Sequence, residues 1–432
     1  MELSDFSPSQ FPSTEDQSDA LQKGLGRAWQ WARSGLLSTD LLLDACLNDK
    51  RFDGQCEENR GGWLWELINE LGCVASFRQP LLEHFSHELD ERQAHQHCEL
   101  IFQYAETGDG PCREALWGFV ENGSIAEAPW VGVGQLLLLC GMDAFEMITR
   151  IRGKSFLNRE WDWHDSALVH RASELFGEAV VRDFLLGGTS PEITRFASAW
   201  KAEQQASHDG RMTDPRDQKM ISTAEQIIQE ALTTDNCRWI QRWGFKASDS
   251  EVQKVAEALW QIDNPEVIRR LLWVFARRAM PEFDTRLLDL CQHEDEEIKR
   301  LALRASANNG HPSVRTFAID QLTSGSYLPS LQLFAKNFRS GDEQLIFNAI
   351  EIPADSDDRH GLLIDILHVI EENTAADVVL LGQVIYLHTP CTICRKAATK
   401  VLLQRKQAPQ WLLEEVERDA DEDARELVKE VL

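Results

Sequence analysis

The feature that most constrains this chain is the spacing of its apolar residues, which recur every three or four positions along most of its length. Short breaks that hold Gly, Pro, Asn or Asp separate these segments, and such residues end helices and form turns. Helices of roughly 10 to 16 residues joined by short turns pack as antiparallel neighbours. Residues 377–387 are β-branched enough for a strand but lack a partner run, so they are interpreted as helix. The sequence therefore predicts an all-α protein.

A short pattern recurs at predicted helix starts in the C-terminal half of the chain. It consists of a capping residue or Pro, then a hydrophobe, a basic residue and a small residue, and its first apolar positions are Val267, Ile298, Val314, Ile393 and Ala424. Val267 and Ile298 are 31 residues apart, as are Ile393 and Ala424, which is enough for two short helices and two turns. We expect Val267, Ile298 and Ile393 to be buried between neighbouring hairpins. Val314 follows Ile298 so closely that it is expected to open the partner helix of the same hairpin.

This pattern resembles the HEAT repeat and the related armadillo-type helical repeats. The residues that carry the resemblance are Asp295, Ile298, Lys299 and Ala302, then Pro312, Val314, Arg315 and Ala318, then Pro390, Ile393, Arg395 and Ala397. Cys394 stands where the motif has its basic residue. The resemblance covers residues 223–432 and implies an α-solenoid of antiparallel helix hairpins. Such a motif specifies a fold and not an activity.

The two halves of the chain differ in composition. All but one of the 14 tryptophans precede residue 274, the first 19 residues are acidic and rich in Ser and Pro, and residues 201–220 hold no large aliphatic side chain. These differences predict four segments: a flexible lead-in over 1–19, a Trp-rich helical region over 20–200, a polar linker or long loop over 201–222, and the repeat array over 223–432. The solenoid could instead continue across 201–222, because repeats of this kind tolerate long loops.

The charge of the chain restricts its partners. Lys+Arg 44 against Asp+Glu 71 gives a formal net charge of −27, a field that repels phosphate backbones and anionic membranes. No stretch approaches the roughly 18 apolar residues of a membrane span, and the N-terminus lacks the basic and apolar parts of a secretory signal. The sequence therefore predicts a cytoplasmic protein with free thiols and a basic protein as its partner, with no nucleic acid and no membrane.

Imidazole and thiol groups crowd into the sequence around residue 90, at His84, His87, His95, His97 and Cys98. On one unbroken helix His84, His95 and Cys98 would lie near a common face, and ligands of these types suit zinc. A helix cap at Asp90 is expected to split the group, so an ordinary helix surface is the preferred interpretation. No metal or other cofactor is predicted.

Cys391 and Cys394 form a CxxC motif at a predicted helix start, directly after Pro390. A helix N-terminus lowers the pKa of a thiol, which makes redox chemistry possible there. The strand–helix–strand context of a thioredoxin-like site is missing, and no second CxxC is present to complete a zinc site. A structural role is therefore the preferred interpretation.

One basic concentration interrupts the acidic chain, at Arg269, Arg270, Arg277, Arg278, Lys299, Arg300, Arg304 and Arg315. Arg269 and Arg300 occupy equivalent positions on successive repeat units and could form a ladder, and Trp273 lies between Arg270 and Arg277. Such residues could hydrogen-bond the acidic turns of neighbouring units, or they could form a face like that of helical-repeat DNA glycosylases. The net charge favours the first interpretation, because DNA affinity depends on phosphate neutralisation.

These observations predict a non-catalytic scaffold or adaptor, of a kind that bacteria use, which binds a partner through the solenoid surface. The expected contact residues are Trp161, Trp163, Arg269, Arg270, Trp273, Arg277, Arg300 and Arg304. Exposed tryptophans anchor interfaces well, although Trp161 and Trp163 lie near a predicted turn where packing and capping are also common. The alternatives are a DNA glycosylase-like enzyme that uses residues 269–315, and an acidic immunity-type inhibitor of a basic toxin. No catalytic residue is predicted.

Overall fold

The computed structural model describes residues 6–54, 60–86, 88–125, 128–188, 190–209, 223–234, 239–325, 330–374 and 377–429. This part of the chain contains 24 α-helices and no β-strand. The prediction of an all-α protein is confirmed. The prediction of a linker over 201–222 falls largely on residues outside the described ones, although the helix that starts at Pro191 continues to Asp209.

The helices before the undescribed segment 210–222 number eleven. They are α1 Thr14–Lys23, α2 Arg27–Arg33, α3 Thr39–Leu47, α4 Gly61–Glu70, α5 Val74–His84, α6 Glu91–Glu106, α7 Gly110–Glu121, α8 Val133–Ser155, α9 Trp163–Phe176, α10 Glu178–Gly187 and α11 Pro191–Asp209. Helix α1 begins inside the segment for which a flexible lead-in was predicted. It starts there because the Ser13 and Asp16 side chains each accept a hydrogen bond from the other residue's backbone N–H, which caps the helix.

The helices after segment 210–222 are generally shorter. They are α12 Ala224–Thr233, α13 Ile240–Lys246, α14 Asp249–Leu259, α15 Pro265–Leu272, α16 Arg286–Leu290, α17 Glu296–Ala307, α18 Pro312–Thr323, α19 Asp342–Ala349, α20 Ser356–Glu372, α21 Val379–His388, α22 Thr392–Gln404, α23 Gln410–Val416 and α24 Glu422–Lys429. Two 3-10 turns, Trp273–Phe275 and Ser330–Phe334, occupy places where a further helix would otherwise pack. Capping residues and Pro at helix starts set most of these boundaries, as at Asn264–Pro265 and Asp295.

The chain divides into two compact units that do not follow its linear order. The first, here called the N-terminal unit, comprises Pro8–Met212 and Glu414–Val428. The second, here called the C-terminal unit, comprises Met1–Ser7, Thr213–Leu413 and Lys429–Leu432. Helix α24 therefore packs with the N-terminal helices, so Ala424 is not in the same unit as Ile393.

The N-terminal unit is closed by contacts between residues far apart in sequence. The Arg27 guanidinium donates two hydrogen bonds of 2.8 Å to the carboxylate of Glu415, which is fully buried. The buried indole of Trp63 donates to the Arg418 carbonyl at 3.0 Å. Gly26 permits this approach, because a Cβ there would lie 1.8 Å from the Glu415 carbonyl oxygen. The returning segment is thus an integral part of this unit.

The C-terminal unit is assembled mainly from contacts between helices that are close in sequence, such as α15 on α17 and α20 on α21. Asparagines at or near helix ends connect successive layers. The side-chain amides of Asn308, Asn337 and Asn373 donate to the carbonyls of Phe275, Asn309 and Ala335 at 2.9–3.0 Å. Each bond satisfies a carbonyl that the end of a helix or turn leaves without an intrahelical partner. The ring of Phe6 also joins this unit, at 6.3 Å from that of Phe347.

The buried repeat positions are confirmed at two of the three sites. Val267 is 4% exposed and Ile298 is 0% exposed, but Ile393 is 45% exposed. The prediction for Ile393 is wrong because α22 begins at Thr392, and the resulting helix register turns Cys394 inward, at 4% exposure, in its place. Cys394 is therefore the core residue of that helix start.

Candidate functional site

Most of the predicted basic cluster already has partners inside the C-terminal unit. Arg269 pairs with Glu266 at 2.6 Å, and Arg300 pairs with Glu297 at 2.7 Å. Arg270 donates to the Ala231 carbonyl at 3.0 Å. Similar bonds run from Arg278 to Gly244 and from Arg315 to Asn337. These guanidinium groups connect neighbouring turns and helices, so most of the cluster has a structural role.

The two remaining arginines of the cluster, Arg277 and Arg304, lie with Arg300 at a groove between α17 and α20 in the C-terminal unit. The groove has a volume of about 860 Å³. Its charged lining consists of Arg277, Arg300 and Arg304 on one side and Asp357, Asp358, Asp365, His368 and Glu371 on the other. Three of the predicted contact residues thus come together, opposite a row of acidic residues that the sequence analysis did not single out.

The acidic side of the groove is one face of helix α20. Asp355 caps this helix by accepting hydrogen bonds from the backbone N–H groups of Asp357 and Asp358 at 2.9 and 3.0 Å. From there, acidic residues and His368 recur at intervals of three, four or seven positions, which places them on a common face. Asp357, Asp358, His368 and Glu371 are exposed, and Asp365 is partly buried deeper in the groove.

Three charged groups of the groove stand without a direct partner. Among the described residues, the side chains of Arg277, Arg304 and Asp365 make no ion pair or hydrogen bond. Burial lowers the pKa of Arg304, and the positive charges of Arg300 and Arg277 lower it further. Burial also raises the pKa of Asp365 to about 7, against the opposing effect of Arg304. Charge that the fold leaves unpaired in a cleft is available to a ligand.

Trp273 lies beneath the basic side of the groove. Its indole is 9% exposed, and the guanidinium carbon of Arg300 is 5.7 Å from the centre of its ring. A cation held over an aromatic face in this way is stabilised and kept in place. Trp273 therefore supports Arg300 from below, and little of its surface is open to a partner.

The two predicted tryptophan anchors lie in the N-terminal unit and differ in exposure. Trp161 packs against Phe156 and Phe196 and donates its indole N–H to Ser166 at 2.9 Å. Trp163 is 70% exposed and lies 3.6 Å from the ring of His164. Trp161 is thus largely occupied by packing, whereas one face of Trp163 remains open.

The predicted imidazole and thiol group around residue 90 is divided in the structure. Asp90 caps α6 by accepting from the Gln93 backbone N–H at 2.9 Å, so His84 lies on α5 and the later residues lie on α6. The rings of His84 and His97 nevertheless come within 5.2 Å of each other. His95 is partly buried and Cys98 is fully buried, where burial raises the pKa of its thiol. The described residues do not bring His84, His95 and Cys98 together as a set of metal ligands. His87 lies outside the described residues.

The CxxC motif, in contrast, meets a histidine that sequence analysis missed. Within the part of the chain that the structure describes, the one group of three close ligand atoms is formed by His360, Cys391 and Cys394. His360 lies on α20, 31 residues before Cys391, and no spacing motif links the two. The CxxC was the available signal, and only helix packing adds the imidazole to it.

No protein-family model, no curated protein and no solved structure matches this chain. Among the described helices, none is both long and apolar enough to cross a membrane. A function must therefore be inferred from the chain's own side chains, and the groove is the largest concentration of unpaired charge described above.

Proposed function

We propose that this protein is an α-solenoid that binds a basic segment of a protein partner in the groove between α17 and α20. The observation that carries the proposal is the charge in that groove, where four carboxylates, three guanidinium groups and an imidazole line one cleft of about 860 Å³. The layer-by-layer packing of the C-terminal unit and its recurring asparagine bonds support the solenoid arrangement. The HEAT-like motif remains a resemblance in support of the same arrangement.

A basic segment fits this groove because its rim is acidic. Asp357, Asp358 and Glu371 are exposed along one side and would pair with Lys or Arg side chains of the segment. The net charge of −27 would steer a basic partner towards the protein over long distances. Pockets for small molecules are lined mainly by apolar side chains, so the charged lining favours a peptide.

The unpaired arginines add selectivity to this proposal. Arg277 and Arg304 would bind one carboxylate of the partner segment, because a guanidinium fork matches a carboxylate in geometry as well as charge. A segment with several basic residues and one acidic residue would therefore satisfy both sides of the groove. An acidic inhibitor of a basic toxin is a special case of such a binding protein.

One observation favours a second candidate function. A carboxylate whose pKa is raised to about 7, as that of Asp365 is, is suited to general acid–base chemistry when an arginine lies beside it in a cleft. A DNA glycosylase-like enzyme would use such a group. Arg300 is already paired with Glu297, however, and the exposed rim of the groove is acidic, which disfavours a phosphate backbone.

Defined fluorescent probes distinguish the two candidates by anisotropy. The probes are a Lys-rich peptide, the same peptide with one central Glu, and a short DNA duplex, each measured at low and at high salt. We expect the Glu-containing peptide to bind most tightly, with an affinity that falls as salt rises, because surface charges are screened over about 8 Å at physiological ionic strength. We expect the duplex not to bind.

Charge-reversal variants connect the binding to the groove. The double substitution Asp357→Lys with Asp358→Lys should abolish binding of both peptides. Arg277→Glu with Arg304→Glu should remove the preference for the Glu-containing peptide and leave the fold intact, since neither side chain has a partner to lose. Arg286→Glu is the control, because Arg286 is exposed and pairs with Asp284 outside the groove.

Duplex binding at low salt that disappears in the folded Arg277→Glu, Arg304→Glu variant would contradict the peptide proposal and favour the DNA enzyme. Peptide binding that the two groove variants leave unchanged would place the binding surface elsewhere on the molecule.

A further inference from the structure

An imidazole and two thiols converge at a second place in the C-terminal unit, independently of the proposed peptide groove. His360 comes from α20, and Cys391 and Cys394 lie at the start of α22. One ligand atom from each residue lies within 4.8 Å of the other two. Cys391 is 5% exposed and Cys394 is 4% exposed, and both are free thiols rather than a disulfide.

The distances match those that a bound metal ion imposes on its ligands. The Cys394 Sγ atom is 3.4 Å from the Nε2 atom of His360. Tetrahedral zinc, with its usual bond lengths to sulfur and nitrogen, holds two such atoms about 3.5 Å apart. His360 and Cys394 therefore stand at the separation required, and the Cys391 ligand atom lies within 4.8 Å of both.

The fold holds these ligands on rigid elements. Helices α20 and α22 pack directly against each other, which fixes His360 opposite the cysteines. Cys391 is the residue before the first turn of α22, and its backbone N–H donates to the hydroxyl of the buried Thr389 at 3.3 Å. A spacing of three residues at a helix start brings both thiols to one side. Ligands held on packed helices are placed more precisely than ligands on loops.

We propose that His360, Cys391 and Cys394 bind one zinc ion, whose fourth coordination position is open to water or to an external ligand. Two thiolates and an imidazole select zinc or another soft ion over magnesium and calcium, which require oxygen ligands. Three protein ligands and one open position are the arrangement that allows zinc to bind a further molecule. Both cysteines bind zinc as thiolates, so a thiol that still holds its proton releases it to solvent when the ion enters.

Cobalt substitution tests this site in the full-length chain. The protein is purified under reducing conditions, stripped with a chelator, titrated with Co²⁺ and then with Zn²⁺. We expect saturation at one equivalent, with the thiolate-to-cobalt charge-transfer band and the visible bands of a tetrahedral ion. Zinc should abolish these bands because it binds the same thiolates more tightly.

Three variants assign the site to its residues. Cys391→Ser with Cys394→Ser should remove zinc binding and the cobalt bands. His360→Gln keeps both cysteines and should weaken zinc binding at least tenfold. Cys291→Ser is the control, because Cys291 is a buried free thiol of the same unit that hydrogen-bonds Leu287 and lies outside the cluster. Circular dichroism melting shows that each variant folds.

Three results would overturn the proposal. The first is the absence of cobalt bands in the wild type while both thiols remain reactive towards a thiol reagent. The second is that the folded Cys391→Ser, Cys394→Ser variant still binds one zinc ion per chain. If Cys391 and Cys394 form a disulfide in the presence of zinc, the pair is a redox couple and the metal assignment is also wrong.

Discussion

The two units reach stability through contacts of very different sequence range. In the N-terminal unit, Arg27 and Glu415 are 388 residues apart and Trp63 and Arg418 are 355 apart. In the C-terminal unit, the arginine and asparagine bonds between layers span roughly 28 to 39 residues. The first unit is therefore closed by contacts of long sequence range, whereas these bonds of the second unit join segments that are close in sequence.

The two units also differ in whether their charged side chains are paired. The N-terminal unit pairs its buried charges: the carboxylate of Asp165, 0% exposed, accepts hydrogen bonds of 2.6 and 2.8 Å from Arg159. The groove of the C-terminal unit leaves Arg277, Arg304 and Asp365 without such partners. Charges that the fold leaves without a partner in a cleft are available to a ligand.

The largest effect is expected at Ile298, which tests whether the C-terminal unit is a coupled stack. Ile298→Asp would bury a charge without a partner and should lower the free energy of unfolding by about 4 kcal/mol. Ile393→Asp is the matched control, since a side chain that is 45% exposed should tolerate the charge at a cost of about 1 kcal/mol or less. Urea denaturation gives both values. Equal losses would contradict the assigned register of α22.

A smaller effect is expected where the N-terminal unit closes. Glu415→Ala removes the carboxylate that receives both bonds from Arg27 and leaves a mostly buried guanidinium, so the unit should lose about 3 kcal/mol. Glu417→Ala, an exposed change in the same segment, should have almost no effect. Hydrogen exchange should show the loss of protection in α1 to α4 and α24. Equal loss of protection from hydrogen exchange in the helices of both units would show that the two units do not unfold separately.

A third effect concerns the groove and depends on pH. Because its pKa is raised to about 7, Asp365 binds a proton more tightly in the folded state than in the unfolded state. Its contribution to stability is complete below pH 3.8, the ordinary pKa of the group, and is lost as the pH rises through about 7. As the pH increases from 3.8 to about 7, the melting temperature of the Asp365→Asn variant should therefore rise relative to that of the wild type. If the melting temperatures of the wild type and the variant change in parallel with pH, the pKa of Asp365 is not raised in the folded protein.

Sequence patterns predicted the features that depend on neighbouring residues. The helical content, the cap at Asp90 and the buried positions Val267 and Ile298 all follow from local spacing. The position of Ile393 does not, because one residue of difference in where α22 begins rotates the side chain by about 100° around the helix axis. A degenerate motif does not determine a helix start that closely.

The candidate sites were predictable only in part for a related reason. Arg277, Arg300 and Arg304 were identified as a basic cluster, and Cys391 and Cys394 as a CxxC. Their counterparts on α20, Asp365 and His360, lie about 30 to 90 residues away in sequence and belong to no motif with them. Which acidic residue or histidine faces a given helix is decided by tertiary packing, and 71 acidic residues offered too many choices.

The return of Glu414–Val428 to the N-terminal unit has a consequence for synthesis on the ribosome. Trp63 is translated 355 residues before Arg418, whose carbonyl receives its indole N–H. Chains grow at about 5 to 20 residues per second. The surface around Trp63 therefore lacks the segment that contains Arg418 for tens of seconds. Most layers of the C-terminal unit can meanwhile assemble, which makes the half of the protein that is translated second the first able to finish most of its contacts.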